Sequence, residues 1–547
     1  MERLTIAEAS ELLRARTVSP VELIETHARR IERLDGVLNA FVTTTLDEAR
    51  AAALAAEATF ARGGARGPLH AVPVAHKDIY FTRGVRTTAG SRALADHVPD
   101  HDATVVELLA AAGAISLGKA NCHELACGAM QGFGVTRNPW DPARAAGGSS
   151  SGSAAAVAAG LVMAATASDT GGSVRVPASF TGTVGLKPTF GRVSRHGLFP
   201  ISYTLDHPAL LTACVADAET VLGAMTAPDP KDRTTVAMRD AESRPAFYDD
   251  LAGLRLGVPT ALLASGLDPE VEAALAAAVA RFEELGATCV PVDVAGFDLV
   301  ATTHSVIWLA EGASRLRGLI AGRRESVGAV VARRMLPGLL LSANDYFLAM
   351  HVRERLRESM GRLFATVDAL VLPTTPFAAH AIDDLAAARS DVSRFNRLAD
   401  LTGEPALALP CGFTAGGLPI GMQLMGRAWS EGLLLRVAGV YERATRWSER
   451  TPNERALTEW RDDGRAEAYL RRLEGLAADF GLVDGGEPNE AGAADWVRRR
   501  AAAAGLALAE ADVDGLSGQA RGLMSALAGM RASVDLAATT SALDYLV

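Results

Sequence analysis

The residues able to do chemistry lie in two glycine-serine clusters, Gly147-Gly148-Ser149-Ser150-Ser151-Gly152-Ser153 and Asp169-Thr170-Gly171-Gly172-Ser173-Val174-Arg175. A third element, Pro73-Val74-Ala75-His76-Lys77-Asp78, ends an apolar run on a lysine and reads as a short buried strand. Taking an ammonium out of water is costly, so a buried lysine tends to shed its proton. A neutral amine, a relaying serine and a serine beside bare backbone N–H groups are the parts needed for acyl transfer without histidine or metal. In that chemistry Ser173 attacks a carbonyl, Ser149 passes its proton to Lys77, and Lys77 returns the proton through Ser149 to the departing nitrogen. The Thr170-Gly171-Gly172-Ser173 turn has no side chain at its two glycines, so successive N–H groups can face one concavity and hold the oxyanion.

The elements that must position these residues follow an alternating pattern. Leu4 to about Leu34 reads as two helices, the second opened by a capping box with proline at its first position, Ser19-Pro20-Val21-Glu22. An alanine-rich helix spans roughly Leu46 to Ala61, and glycines with Pro68 separate it from the apolar Ala71–Ala75 run. Further apolar runs follow at Ala114–Leu117, Ala159–Ala167, Leu254–Val258, Cys289–Val294, Ala369–Leu372, Ala406–Leu409 and Gly421–Met425, with helical patterns between them. Such alternation predicts an α/β fold with a central mixed β-sheet covered by helices. The helix starting near Ser151 has almost no bulky side chains and is expected to lie close to neighbouring backbone. After about Glu454 the composition changes. Arg461–Leu482 reads as a charged amphipathic helix, Asp484–Asn489 as a linker, and Trp496, Val497, Leu506, Leu508, Val513, Leu516, Leu523, Met524, Leu527 and Met530 mark further helices. Residues 1–455 are thus expected to form the catalytic domain and 456–547 an appended α-helical module.

Bulk properties narrow the function. A chain of 547 residues, 49% hydrophobic and 22% charged, is an ordinary globular composition. A formal charge of −10 argues against nonspecific binding to nucleic acid or anionic membrane, which requires a basic surface. The five cysteines are scattered without C-x-x-C spacing, which predicts neither a disulfide framework nor a zinc site and suits a reducing, cytoplasmic setting. No secretory leader and no apolar run of membrane-spanning length is read from the sequence. The glycine block lacks the G-x-x-x-x-G-K-[ST] ending of a phosphate loop, and Gly132-Phe133-Gly134 lacks the third glycine of a dinucleotide fingerprint.

Taken together, these segments resemble the amidase signature family over roughly residues 5 to 450. The resemblance is carried by Lys77-Asp78, Asn121-Cys122-His123-Glu124, Asn138-Pro139-Trp140, the glycine-serine block, Gly185-Leu186-Lys187-Pro188-Thr189 and Gly417-Leu418-Pro419-Ile420-Gly421-Met422-Gln423. It implies Ser173 as nucleophile, Ser149 as the serine of a cis peptide, Lys77 as base, and an oxyanion hole of Thr170, Gly171 and Gly172 with the Ser173 amide. It further implies that Asp169 and Arg175 hold the nucleophile loop in shape and that Cys127 and Gly128 border the acyl pocket. For Cys127 a buried apolar thiol is the competing expectation.

The implied activity is cofactor-free and metal-free hydrolysis of a small-molecule carboxamide or urea-like C–N bond, releasing ammonia or an amine. Its partners would be the amide substrate and a second copy in a homodimer. Two alternatives stand beside it. One is the glutamine-hydrolysing A subunit of a tRNA-dependent amidotransferase, in which the appended module is not expected. The other is an amidase scaffold whose C-terminal module serves protein interaction. The module is also similar to the accessory domains of some allophanate or biuret-type hydrolases. Three departures from the family pattern stand out: Ala146 and Ser151 in the first loop, Leu205-Asp206-His207-Pro208-Ala209 in place of Asp-x-x-Gly-Pro, and His76 before the lysine. A nearby imidazolium would depress Lys77 further, whereas a neutral imidazole would only pack.

Overall fold

Most of the apolar runs become strands of a single sheet in the computed structural model. It describes residues 4–127, 132–236, 250–264, 266–323, 326–384, 391–476, 494, 497–498 and 510–533. In chain order the strands are β1 (Phe41–Thr44), β2 (Pro73–Lys77), β3 (Ile115–Ala120), β4 (Arg137–Asn138), β5 (Asp141–Ala145), β6 (Ala164–Asp169) and β7 (Val184–Lys187). They continue with β8 (His207–Thr212), β9 (Arg255–Val258), β10 (Thr288–Pro291), β11 (Ala369–Pro373), β12 (Ala406–Phe413) and β13 (Pro419–Gly426). Eleven of them form one sheet in the order β1-β3-β2-β6-β8-β7-β12-β13-β11-β9-β10, and β4 and β5 form a separate pair. The sheet is mixed. Strands β3, β2 and β6 run parallel, as do β11, β9 and β10, while the ladders from β6 through β8, β7, β12 and β13 to β11 are antiparallel.

The parallel β2–β6 pair brings the strand that ends on Lys77 beside the strand that leads into the turn at 170–173. Every residue of β2 and β6 is buried, as expected of strands covered on both faces. The helix Ser151–Ala158 is also buried at all eight positions. Its small residues permit close approach: a Cβ on Gly152 would lie 2.3 Å from the Ala40 carbonyl oxygen and 2.4 Å from the Asn121 nitrogen. The helix Pro20–Leu38 carries the expected capping box of Ser19 and Glu22, and the alanine-rich helix covers Leu46–Ala61.

Beyond the sheet, the chain adds the helices Glu454–Glu459, Arg465–Leu476 and Glu510–Ser533. The predicted linker at 484–489 and the marker residues Trp496, Leu506 and Leu508 lie outside the described residues. Leu523, Leu527 and Met530 of the last helix share a core cluster with Val300, Val306 and Ile307. Leu516 and Ala520 pack with Leu336, Leu340 and Val497. This helix therefore buries its apolar face on the body of its own chain, one of the two uses that its helical spacing allows. Among the described residues no helix is long and apolar enough to cross a membrane.

Candidate active site

Lys77 ends β2 and is completely buried. Its Nζ donates to Ser168 Oγ at 2.8 Å and lies 2.8 Å from Ser149 Oγ. Burial lowers the lysine to about 8, against the opposing pull of Cys122, Asp169 and Asp206. A neutral amine at this place keeps a hydrogen for Ser168 and a lone pair for the Ser149 proton. His76 is buried too, and burial followed by the charge of Lys119 pushes it down to about 3. The imidazole next to the lysine is thus neutral and packs.

Ser149 follows a cis peptide with Gly148. Its carbonyl accepts from the His123 amide at 3.0 Å. The His123 ring lies against Gly148, where an added Cβ would fall 2.1 Å from Cε1, so only glycine fits. The adjacent Ser150 amide donates to the Ser173 carbonyl at 3.1 Å and ties the two glycine-serine loops together. Ser173 and Gly171 are half-buried, whereas Ser149 is only 2% exposed and Lys77 0%. Accessibility therefore falls along the path from Ser173 through Ser149 to Lys77.

Asp169, the last residue of β6, organises the loop 170–175. Its Oδ1 accepts from the Gly172 amide and, at 3.1 Å, from the Ser173 amide, while Oδ2 accepts from Val174 at 3.3 Å. Gly172 takes φ 121°, a region open to glycine but to few other residues, to make this turn. Arg175 Nε meets Asp169 Oδ2 at 2.9 Å, and its other nitrogens reach Asp400 at 2.8 Å and Gln423 Oε1 at 2.9 Å. Burial alone would raise Asp169, but the Arg175 guanidinium outweighs it and holds the carboxylate below its usual range. Burial and the neighbouring Asp169 push Asp400 well up.

The four amides assigned by sequence to the oxyanion are thereby divided. Gly172 and Ser173 already donate to Asp169, while among the described residues nothing accepts from the Thr170 or Gly171 amide. The remaining motifs are explained by support. Gln423 donates to the Pro373 and Phe395 carbonyls while it holds Arg175. Asn138 and Trp140 donate to the Phe180 and Thr181 carbonyls at the end of the helix Arg175–Thr181, at 2.8 and 2.7 Å. Asp206, in the divergent stretch before β8, accepts from Thr170 Oγ1 at 2.7 Å and from the amides of Ile201 and Ser202. Cys127 is buried with its Sγ turned to the Leu125 carbonyl at 3.1 Å, and burial pushes the thiol up, which fits the apolar-thiol expectation. Gly128 lies outside the described residues. Sequence reasoning missed His304, on the helix Val300–Gly322, whose Nε2 reaches the Thr170 carbonyl at 2.8 Å.

Known proteins resemble this chain over most of its length. A family model described as Amidase matches residues 22–435. The chain is 40% identical over 484 residues to the A subunit of the glutamyl-tRNA(Gln) amidotransferase of Methylococcus capsulatus, an alignment covering 83% of this chain and 99% of the relative. A solved A subunit of that amidotransferase from Thermotoga maritima superposes with TM-score 0.69 at 33% identity, over 81% of this chain and 94% of its own. A structure from a complex bearing on the origins of an s-triazine catabolic enzyme superposes with TM-score 0.75 at 32% identity, over 81% and 98%.

Proposed function

This chain belongs to the amidase signature family and is an enzyme acting on amide C–N bonds, and from that premise we propose that it hydrolyses a primary carboxamide, releasing ammonia through an acyl-enzyme on Ser173. The observation that carries this is the buried Lys77, its ammonium lowered to about 8, set 2.8 Å from Ser149 Oγ in a loop hydrogen-bonded to the Ser173 turn. Ser173 Oγ bonds to the carbonyl carbon as its proton passes to Ser149 and the Ser149 proton passes to Lys77. The C–N bond then breaks, and the proton returns from Lys77 through Ser149 to the leaving nitrogen. Water repeats the attack on the ester and frees Ser173. Asp169 and Arg175 hold the loop rigid throughout, so the amides facing the oxyanion are in place before charge develops.

The relatives' names favour glutamine as the amide, with ammonia delivered to a partner protein, over the free small-molecule amide that the sequence put first. A free small-molecule amide is the second substrate class to test. It draws on the s-triazine enzyme complex among the structural neighbours and on the helix Glu510–Ser533, docked on the body of this chain. The deciding experiment is ammonia release from glutamine, simple amides, biuret and allophanate by the wild type and Ser173→Ala. Release from glutamine alone, lost in the variant, supports the amidotransferase role. Release from another class assigns a free amidase, and release that survives Ser173→Ala refutes the acyl-enzyme.

A further inference from the structure

His304 projects from the long helix Val300–Gly322 and is 7% exposed. Its Nε2 lies 2.8 Å from the Thr170 carbonyl oxygen. A carbonyl oxygen only accepts, so Nε2 carries the hydrogen and the ring is the Nε2–H tautomer. Burial, with the charge of Arg397 second, pushes His304 down to about 3, so the ring stays neutral wherever the enzyme works. The same Nε2 would lie 2.8 Å from a Cβ on Gly171, so the imidazole covers one side of this residue at van der Waals range.

The bond matters because of the peptide it grips. The Thr170 carbonyl and the Gly171 amide belong to one planar group, and in a trans peptide the C=O and N–H point in opposite directions. Holding the oxygen toward the helix turns the Gly171 N–H away from it. Gly171 is one of the two amides that Asp169 leaves uncommitted, and glycine offers little torsional resistance to rotation of this plane. Thr170 is pinned a second time through its hydroxyl, which donates to Asp206 at 2.7 Å. The helix itself is anchored by Glu311, which accepts from the Thr204 amide at 3.0 Å, Thr204 Oγ1 at 2.9 Å and the Tyr346 hydroxyl at 2.7 Å.

We infer that His304 is a positioning residue that locks the Thr170–Gly171 peptide plane and thereby aims the Gly171 N–H at the oxyanion. The inference rests on the acyl-enzyme proposed above. It assigns the helix Val300–Gly322 a part in the chemistry, exerted through backbone orientation rather than by contact with reacting atoms.

The test compares His304→Leu, which fills the space without a donor, with His304→Gln, whose side-chain amide can again donate to Thr170. Losing one oxyanion donor typically costs on the order of 100-fold in kcat. His304→Leu should show about that loss with KM changed by less than about threefold, because the interaction gains strength only in the transition state. His304→Gln should recover most of it. A crystal structure of His304→Leu should show the Thr170–Gly171 peptide rotated. An unrotated peptide, a kcat within about threefold of wild type, or a loss that glutamine does not repair would overturn the inference. Turnover that persists in Ser173→Ala would instead refute the acyl-enzyme, and the peptide orientation would still judge the role of His304.

Discussion

The lysine makes a quantitative prediction. In water its ammonium would titrate at 10.5, and burial in β2 lowers that to about 8. At pH 7 an ordinary lysine is neutral in about one molecule in 3,000, whereas Lys77 is neutral in about one in eleven. Burial thus supplies about 300-fold more competent base at neutral pH. Because the neutral form accepts the proton, kcat/KM should rise with pH through about 8, fall about 50-fold from pH 8 to pH 6, and level off above pH 9. Initial rates of ammonia release across this range give the profile. Cys122, pushed up to about 12 by burial, and His76 and His123, both pushed down to about 3, do not titrate in the window. Lys119 and Lys187 are also lowered to about 8 by burial, but both donate to backbone carbonyls, at Tyr80 and Pro188. Lys119→Gln and Lys187→Gln should therefore keep the inflection, while Lys77→Met should lose activity by several orders of magnitude. A flat profile from pH 6 to 9 in wild type would refute the neutral-amine mechanism.

The scaffold makes predictions of its own. Gly148→Ala forces a Cβ to within 2.1 Å of the His123 ring, so thermal unfolding should report a loss of about 1–3 kcal/mol and turnover should fall as Ser149 is displaced. Asp169→Asn leaves the buried Arg175 short of its balancing charge. It should destabilise the fold by about 3–5 kcal/mol in denaturant titration. Leu527→Ala, in the cluster shared with Val306 and Ile307, should cost about 2–5 kcal/mol. A cost below about 0.5 kcal/mol would show that the C-terminal helix does not dock on its own body in solution.

Much of the sheet could be read from apolar runs because β2, β3, β6, β11, β12 and β13 are buried along almost their whole length. The strands that escaped notice have local reasons. Phe41–Thr44 is a short, half-covered edge, Val184–Lys187 contains a glycine and a lysine, and His207–Thr212 opens on His-Pro. Lys77, Ser149 and Ser173 stand out in the sequence because the lysine ends an apolar run and the two serines sit in glycine-rich turns. The commitment of the Gly172 and Ser173 amides to Asp169 was not legible, since it depends on backbone dihedrals such as that of Gly172. His304 was also invisible. A single histidine on a helix has no local pattern, and its partner is 134 residues away in the chain.

The proposed acyl-enzyme on Ser173 can be tested by trapping. Wild-type enzyme mixed with a slowly turned-over ester and quenched in acid should yield a digest in which one peptide, containing Ser173, has gained the acyl mass. Ser173→Ala should show no adduct, and Lys77→Met should acquire it only very slowly. An adduct on another residue, or none while ester is consumed at the wild-type rate, would contradict the assignment of Ser173 as nucleophile.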